Sequence, residues 1–331
     1  MSRKKGEKQS ALVLAQLSAR SKKGLEFAKK IIQSENIGSK KLRDALDHYI
    51  SNWNDITHPG LLAMACEAVC GDLQTAVRAQ AAIAMIAAAF DLHDDIIDKS
   101  TSKHRIPTVF CKFGEEIALL LGNAFLIEGF TLFDKSLEDL DQEKAKVLET
   151  LKQSLWEFGN AHALELSLRK RTDTSPEEYL EVVKMKAASI EGDMRIGAII
   201  GGGTRKEVEA LARYGRILGT LAMLREEFVD VFDAEELNQR IFNEYLPIPI
   251  LYAMQDEVTK EKIQGLLAKG KVADNDVDIL VDVIFEAKGV KKLRRSMRKL
   301  VTDATRIAHN VRNKELIDQL QTFASSTLED L

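Results

Sequence analysis

From Ala81 to Phe90 the chain reads Ala-Ala-Ile-Ala-Met-Ile-Ala-Ala-Ala-Phe, with neither Pro nor Gly. Such a run predicts a buried helix. It leads directly into Asp94-Asp95-Ile96-Ile97-Asp98, with Asp91 one turn earlier. Residues four apart share a helix face, so Asp94 and Asp98 point the same way and Asp95 flanks them. Uncompensated like charges beside a packed core are costly. Carboxylate oxygens are what hard divalent cations prefer, and Mg²⁺ keeps several waters while bridging one or two carboxylates to substrate phosphates. A diphosphate held through Mg²⁺ is therefore the first expectation, set against a merely solvated acidic helix end.

Other features fit a mostly helical chain. Only 5 Pro occur in 331 residues, and long stretches are rich in Ala, Leu, Glu and Lys. No alternating Val/Ile/Thr-rich segment calls for a sheet. No linker or repeat divides the chain, so a single helical domain over 1–331 is expected, with N-terminal helices at 1–55, a core bundle at 56–255 and C-terminal helices at 256–331. Pro59-Gly60 reads as a break before a buried helix over 61–69. A central helix should follow over 73–98, then a polar loop over 99–107. Ser175-Pro176-Glu177-Glu178 starts a helix running to Ile200, which Gly201-Gly202-Gly203 stops. The net charge of −4, from 47 basic against 51 acidic residues, disfavours nucleic acid as a partner. Cys66, Cys70 and Cys111 read as buried free thiols. No unbroken apolar run of about 18 residues suggests a membrane span. The basic start lacks the apolar core of a signal peptide, and a cytoplasmic protein is expected.

The acidic pattern recurs as Glu226-Glu227-Phe228-Val229-Asp230: two acids, two apolar residues, one acid. Facing each other across a helical bundle, the two clusters could bind several Mg²⁺ ions around one diphosphate. At this point the chain resembles the trans-isoprenyl diphosphate synthases, the polyprenyl synthetase family. The resemblance rests on Leu61 to Val69, His93 to Asp98, Pro107-Thr108-Val109, Leu121 to Leu126, Lys184 to Ala188, and Leu246 to Leu251. It implies an all-α, isoprenoid-synthase-type bundle around a central cavity, usually dimeric. The partner would be a second copy, or another synthase subunit in a heterodimer.

The implied reaction is Mg²⁺-assisted ionisation of an allylic diphosphate, followed by capture of the cation by isopentenyl diphosphate. Asp94, Asp95 and Asp98 would hold metal, and Glu226, Glu227 and Asp230 a further ion. Lys186, Arg105 and Lys103 would contact phosphate oxygens. Lys40, Lys41 and Arg43, in a Gly38-Ser39-Lys40-Lys41-Leu42-Arg43 segment, are candidates for the isopentenyl diphosphate cradle. The register set by Leu61 to Val69 puts Thr57-His58-Pro59-Gly60 there instead, and both placements stay open. Phe90 and Ala89, four and five positions before Asp94, argue opposite ways about tail length. His93 and His162 are read as packing residues without a catalytic role.

The sequence departs from the family pattern. The second motif carries two Glu, Lys186 is followed by Ala187 and not Thr, Lys103-His104 stands for an arginine pair, and the lysine after the second motif has no counterpart around Asn243 to Tyr245. These departures keep two alternatives in play: a non-catalytic or regulatory partner subunit of a synthase, and a prenyltransferase with a different acceptor.

Overall fold

The computed structural model describes residues 3–331, apart from 104, 139, 141–142, 170–173, 244 and 330. The chain opens with α1 (Arg3–Ser34), α2 (Lys40–Asn52) and α3 (Thr57–Ala68). The central α4 (Leu73–Ile97) is capped by the Asp72 side chain, which accepts from the Gln74 amide at 2.9 Å. A short hairpin, β1 (Ser102–Lys103) with β2 (Ile106–Pro107), follows it. Next come α5 (Val109–Phe113), α6 (Glu115–Ser136) and α7 (Lys144–Leu168). After these, α8 (Pro176–Lys186), α9 (Ala188–Ile200) and α10 (Arg205–Val229) complete the core, and a 3₁₀ turn (Asp230–Phe232) extends α10. The remainder is α11 (Ala234–Asn243), α12 (Ile248–Ala253), α13 (Glu257–Leu267), α14 (Asp274–Glu286), α15 (Lys288–Ala308) and α16 (Ile317–Ser326).

The apolar run behaves as its composition demands. Ala81, Ala82, Ala84, Met85 and Ala89 have no exposed surface, and α4 is packed by α1, α3 and α6. Small residues let helices approach closely. At Gly197 on α9 a Cβ would lie 2.1 Å from the Leu62 carbonyl oxygen of α3, so that crossing requires glycine. α9 also packs against α7 and α10, which brings the helices carrying the two acidic clusters into one bundle. The all-α fold is as expected.

Several local expectations change. Pro59 and Gly60 lie in the first turn of α3 and do not precede it, as suits a residue whose missing N–H has no helical partner there. The helix started by Ser175 breaks at Ala187 before α9 resumes. Gly202, at φ +73°, supplies the stop after Ile200. The polar loop contains the hairpin, with Arg105 at φ +65° in its turn. Of the cysteines, all free, only Cys66 is buried. By length and composition alone α4 and α6 are each apolar enough to cross a membrane, although polar residues interrupt both apolar runs, as expected. The apolar window of α4 is 61% buried, marking a core helix, whereas that of α6 is 39% buried. Leu119, Leu120, Ile127 and Phe130 of α6 are exposed.

Candidate active site

Asp94, Asp95 and Asp98 close the C-terminal end of α4, where the backbone turns out of the core. Each carboxylate meets a basic side chain from another element. Asp94 Oδ1 lies 3.1 Å from His162 Nδ1 of α7. Asp95, nearly buried, lies 2.8 Å from Lys103 Nζ of the hairpin, and the same ammonium reaches Asp91 at 2.5 Å. Asp98 pairs with Arg169, just beyond α7. Burial works against ionisation of Asp94, but His162, Lys186 and Lys103 outweigh it and hold the carboxyl below its ordinary range. Burial pushes Asp95 up to about 6 against the pull of Lys103. Asp98 is raised by burial and then by the Asp94 charge beside it. That residual crowding of negative charge is what a divalent cation would relieve.

The three carboxylates thus fit a metal in donor chemistry. Among the described residues no ready-made cage of three or more His, Cys, Asp or Glu side chains exists. Mg²⁺ does not need one, since waters and substrate phosphates complete its shell.

The second cluster straddles the end of α10 and its 3₁₀ extension. Glu226 is exposed, Glu227 is buried and Asp230 is half-buried. Burial pushes Asp230 up to about 6; Arg240 pulls it down while Glu227 and Glu226 push it further up. Between the clusters runs a continuous polar row. Lys186 pairs with Glu165 of α7. The Tyr179 hydroxyl of α8 lies 2.7 Å from Glu165 Oε1 and 3.2 Å from Glu227 Oε1. Arg240 of α11 donates to Glu227, Asp230 and Tyr179. At its other end the row meets the first cluster through charge, the Lys186 ammonium favouring ionisation of Asp94 and Asp98.

Two cavities adjoin the first cluster. One, of about 200 Å³, is lined chiefly by apolar residues, among them Ile83, Ile86, Phe90, Leu155, Phe158 and Ile196, with Asp94 at its rim. Phe90 and Phe158 meet edge to face there, their ring centroids 5.5 Å apart. The other, of about 450 Å³, is more polar and includes Tyr49, Asn52, Trp53, Asp55, Asp95 and Lys103. His58, Ala87 and Asp91 line both.

His58 sits in the first turn of α3, with its Nδ1 2.6 Å from Asp193 Oδ2 of α9. Burial alone would lower its pKa. Asp193, and to a lesser degree Asp55, outweigh that and push it up to about 9. Because this exceeds the ordinary 6.5, the His58 contribution to stability is full below 6.5 and is lost as pH rises through about 9. Thermal unfolding of the wild type should show Tm falling across that window. His58→Gln should flatten the alkaline limb, and an unchanged limb would remove His58 as its cause.

The remaining residues picked from sequence are dispersed. Lys40 and Lys41 are exposed at the start of α2. Arg43 donates to the Gln33 and Glu35 carbonyls at 3.1 and 2.5 Å, closing the end of α1. None of the three lines either cavity. Arg105 is exposed at the hairpin turn, and His104 lies outside the described residues. Ala89 is buried and turned from both cavities, while Phe90 faces the apolar one. His93 packs its ring against Gly122 of α6, in keeping with a packing role. His162 does more than pack, because it meets Asp94. Sequence reading also passed over Glu165, Arg169, Tyr179 and Arg240. The one signal for Glu165 was its i+3 spacing from His162 on α7. Arg240 was hidden because its partners come from α8 and α10.

A family model for the polyprenyl synthetases matches residues 10–284. The chain belongs to the polyprenyl synthetase family. It is accordingly a transferase of the prenyltransferase class in isoprenoid biosynthesis, and members of this family are metal-dependent. The chain is 29% identical over 244 residues to a short chain isoprenyl diphosphate synthase of Methanothermobacter thermautotrophicus, a match covering 71% of this chain and 74% of that relative. It is 28% identical over 180 residues to a geranylgeranyl diphosphate synthase of Methanosarcina mazei, covering 54% and 55%. Its fold is that of the geranylgeranyl pyrophosphate synthetase of Pyrococcus horikoshii, with TM-score 0.84 and 20% identity over 97% of this chain and 99% of that one. A Corynebacterium glutamicum geranylgeranyl pyrophosphate synthase, complexed with isoprenyl diphosphate and magnesium, superimposes with TM-score 0.80 and 22% identity, covering 96% of this chain and 98% of that one.

Proposed function

We propose that this chain ionises an allylic diphosphate with Mg²⁺ at Asp94, Asp95 and Asp98, and joins the prenyl group to isopentenyl diphosphate. The observation carrying this reading is that Asp94 stands at the rim of an apolar cavity walled by Ile86, Phe90 and Phe158. A charged head and a greasy tail would be gripped by adjacent parts of one site. Bound Mg²⁺ supplies neutralisation of the leaving diphosphate as charge develops on it. The chain itself does the rest. Lys186 and Arg169 add positive charge on the side facing α7, the apolar wall excludes water from the allylic cation, and the polar cavity across Ala87 and Asp91 receives the second substrate. The allylic C–O bond breaks with its electron pair going to diphosphate. The acceptor's double bond then forms the new C–C bond, and the proton it loses goes to the released diphosphate.

Incubation with labelled isopentenyl diphosphate, Mg²⁺ and allylic primers of several lengths tests this. Chain extension is the expected result. Primer cleavage without extension would point to another acceptor. Turnover only with a second synthase-like chain would point to a partner subunit.

We also propose a homodimer paired through the exposed α6 face, where Leu119, Leu120, Ile127 and Phe130 would be taken from water. Sedimentation should give twice the chain mass for the wild type, with dissociation on Ile127→Asp; a monomeric wild type sinks the pairing. Free thiols and ionic, water-soluble substrates support a cytoplasmic setting.

A further inference from the structure

The second acidic cluster repeats the spacing of the first but is satisfied differently. Arg240 is buried, and its guanidinium is spread across the cluster. Nη1 donates to Asp230 Oδ2 at 2.7 Å, and Nη2 donates to Glu227 Oε1 at 2.8 Å and to the Tyr179 hydroxyl at 3.0 Å. Nε donates to the Tyr245 carbonyl at 3.1 Å. The other oxygen of Glu227, Oε2, accepts the Ile248 amide at 2.8 Å. Both Glu227 oxygens are thus engaged by the protein, in a pocket where the carboxylate is only 7% exposed. Mg²⁺ demands near-octahedral oxygen coordination and keeps much of its water. A cation at Glu227 would have to crowd in beside the Arg240, Tyr179 and Ile248 donors already on its oxygens, in a buried site with little room for the water that Mg²⁺ keeps. The planar fork of arginine, by contrast, is suited to hold two carboxylates at once.

The first cluster differs in kind. Its basic partners, His162, Lys103 and Arg169, come from three different places in the chain, and Asp94 opens on a cavity.

We propose that Arg240 is the built-in counter-ion of the second cluster: Glu227 is a positioning residue that, together with Asp230, holds its guanidinium beside Tyr179 and the Glu165–Lys186 pair, and Glu227 is not a metal ligand. The metals of the site enter through the first cluster. Arginine in place of a metal keeps a fixed positive charge in the site whether or not metal is present. The inference rests on the metal role given above to Asp94, and the two are separable by experiment.

The test counts Mn²⁺ bound per full-length chain in the presence of inorganic diphosphate, by calorimetry or electron spin resonance, alongside Tm in metal-free buffer. Glu227→Gln should bind as many Mn²⁺ as the wild type. Its metal-free Tm should fall by several degrees, because it strips a partner from a buried guanidinium. Arg240→Met combined with Asp230→Asn should lose less Tm than the sum of the single changes, the signature of a coupled pair. A drop of one Mn²⁺ in Glu227→Gln, with metal-free Tm unchanged or raised, overturns the proposal, since relieving an empty metal site of charge stabilises it. Asp94→Ala, run in parallel, should bind fewer Mn²⁺. Retention of the full count there would fault the proposed metal site at the first cluster and leave the Glu227 comparison to decide the role of Arg240.

Discussion

Asp94→Ala should lower turnover about a thousandfold, equivalent to ~4 kcal/mol of transition-state stabilisation. The argument begins with position. Asp94 is the one carboxylate of the first cluster that also lines the apolar cavity, so it would hold a metal next to where the prenyl tail meets its diphosphate. Charge on the leaving group grows toward the transition state, and neutralisation at that oxygen acts on kcat more than on KM. The fold should survive. Removing Asp94 eases the repulsion on Asp98 but forfeits the attraction of His162, Lys186 and Lys103 that holds its carboxyl below the ordinary range, so Tm should fall only modestly. Steady-state kinetics with an allylic primer, alongside circular dichroism and Tm, separates a chemical defect from a folding one. A folded Asp94→Ala protein within tenfold of wild-type kcat would mean that the metal is held elsewhere.

What could be read from the sequence follows from how local each signal was. The run from Ala81 to Phe90, the Ser175-Pro176 start and the Gly201–Gly203 stop are encoded within a turn or two, and each is found where the residues put it. The first acidic motif is equally local, because i, i+4 spacing on one helix already fixes which side chains converge. The second motif could be recognised by spacing but not in its surroundings. The fate of Glu227 depends on Arg240, Tyr179 and the Ile248 amide, which come from three separate elements. His162 looked like a packing residue because nothing near it on α7 shows that Asp94 lies opposite. Residues 38–43 resembled a phosphate cradle by composition, yet Arg43 is consumed by carbonyls at the end of α1, a contact set by how α1 and α2 turn. The break at Ala187 was invisible to helix propensity, since Lys186, Ala187 and Ala188 are all good helix formers.

Phe90→Ala should lengthen the main product by at least one five-carbon unit. From sequence, Phe90 and Ala89 pulled opposite ways. The helix rotation separates them: Phe90 walls the apolar cavity, whereas Ala89 is buried on the side facing α6. A growing tail that follows α4 away from Asp94 meets the Phe90 ring, which Phe158 of α7 props edge to face at 5.5 Å. Phe158 also stacks near His162, at 4.4 Å, so the wall and the Asp94 site share one support. Removing the Phe90 ring opens space along α4 without touching a carboxylate, so turnover should fall less than product length changes. The cost in stability should stay below the ~3–5 kcal/mol of a fully buried Phe→Ala change, because Phe90 is only half-buried. Phe158→Ala should lengthen product too, with a greater loss of turnover through His162. Ala89→Phe should leave product length alone and lower Tm, since its added ring would press on α6 and not into the cavity. Chromatography of products from one labelled primer distinguishes these outcomes. An unchanged product in Phe90→Ala, or a shortened one in Ala89→Phe, would place the tail along a different face of α4.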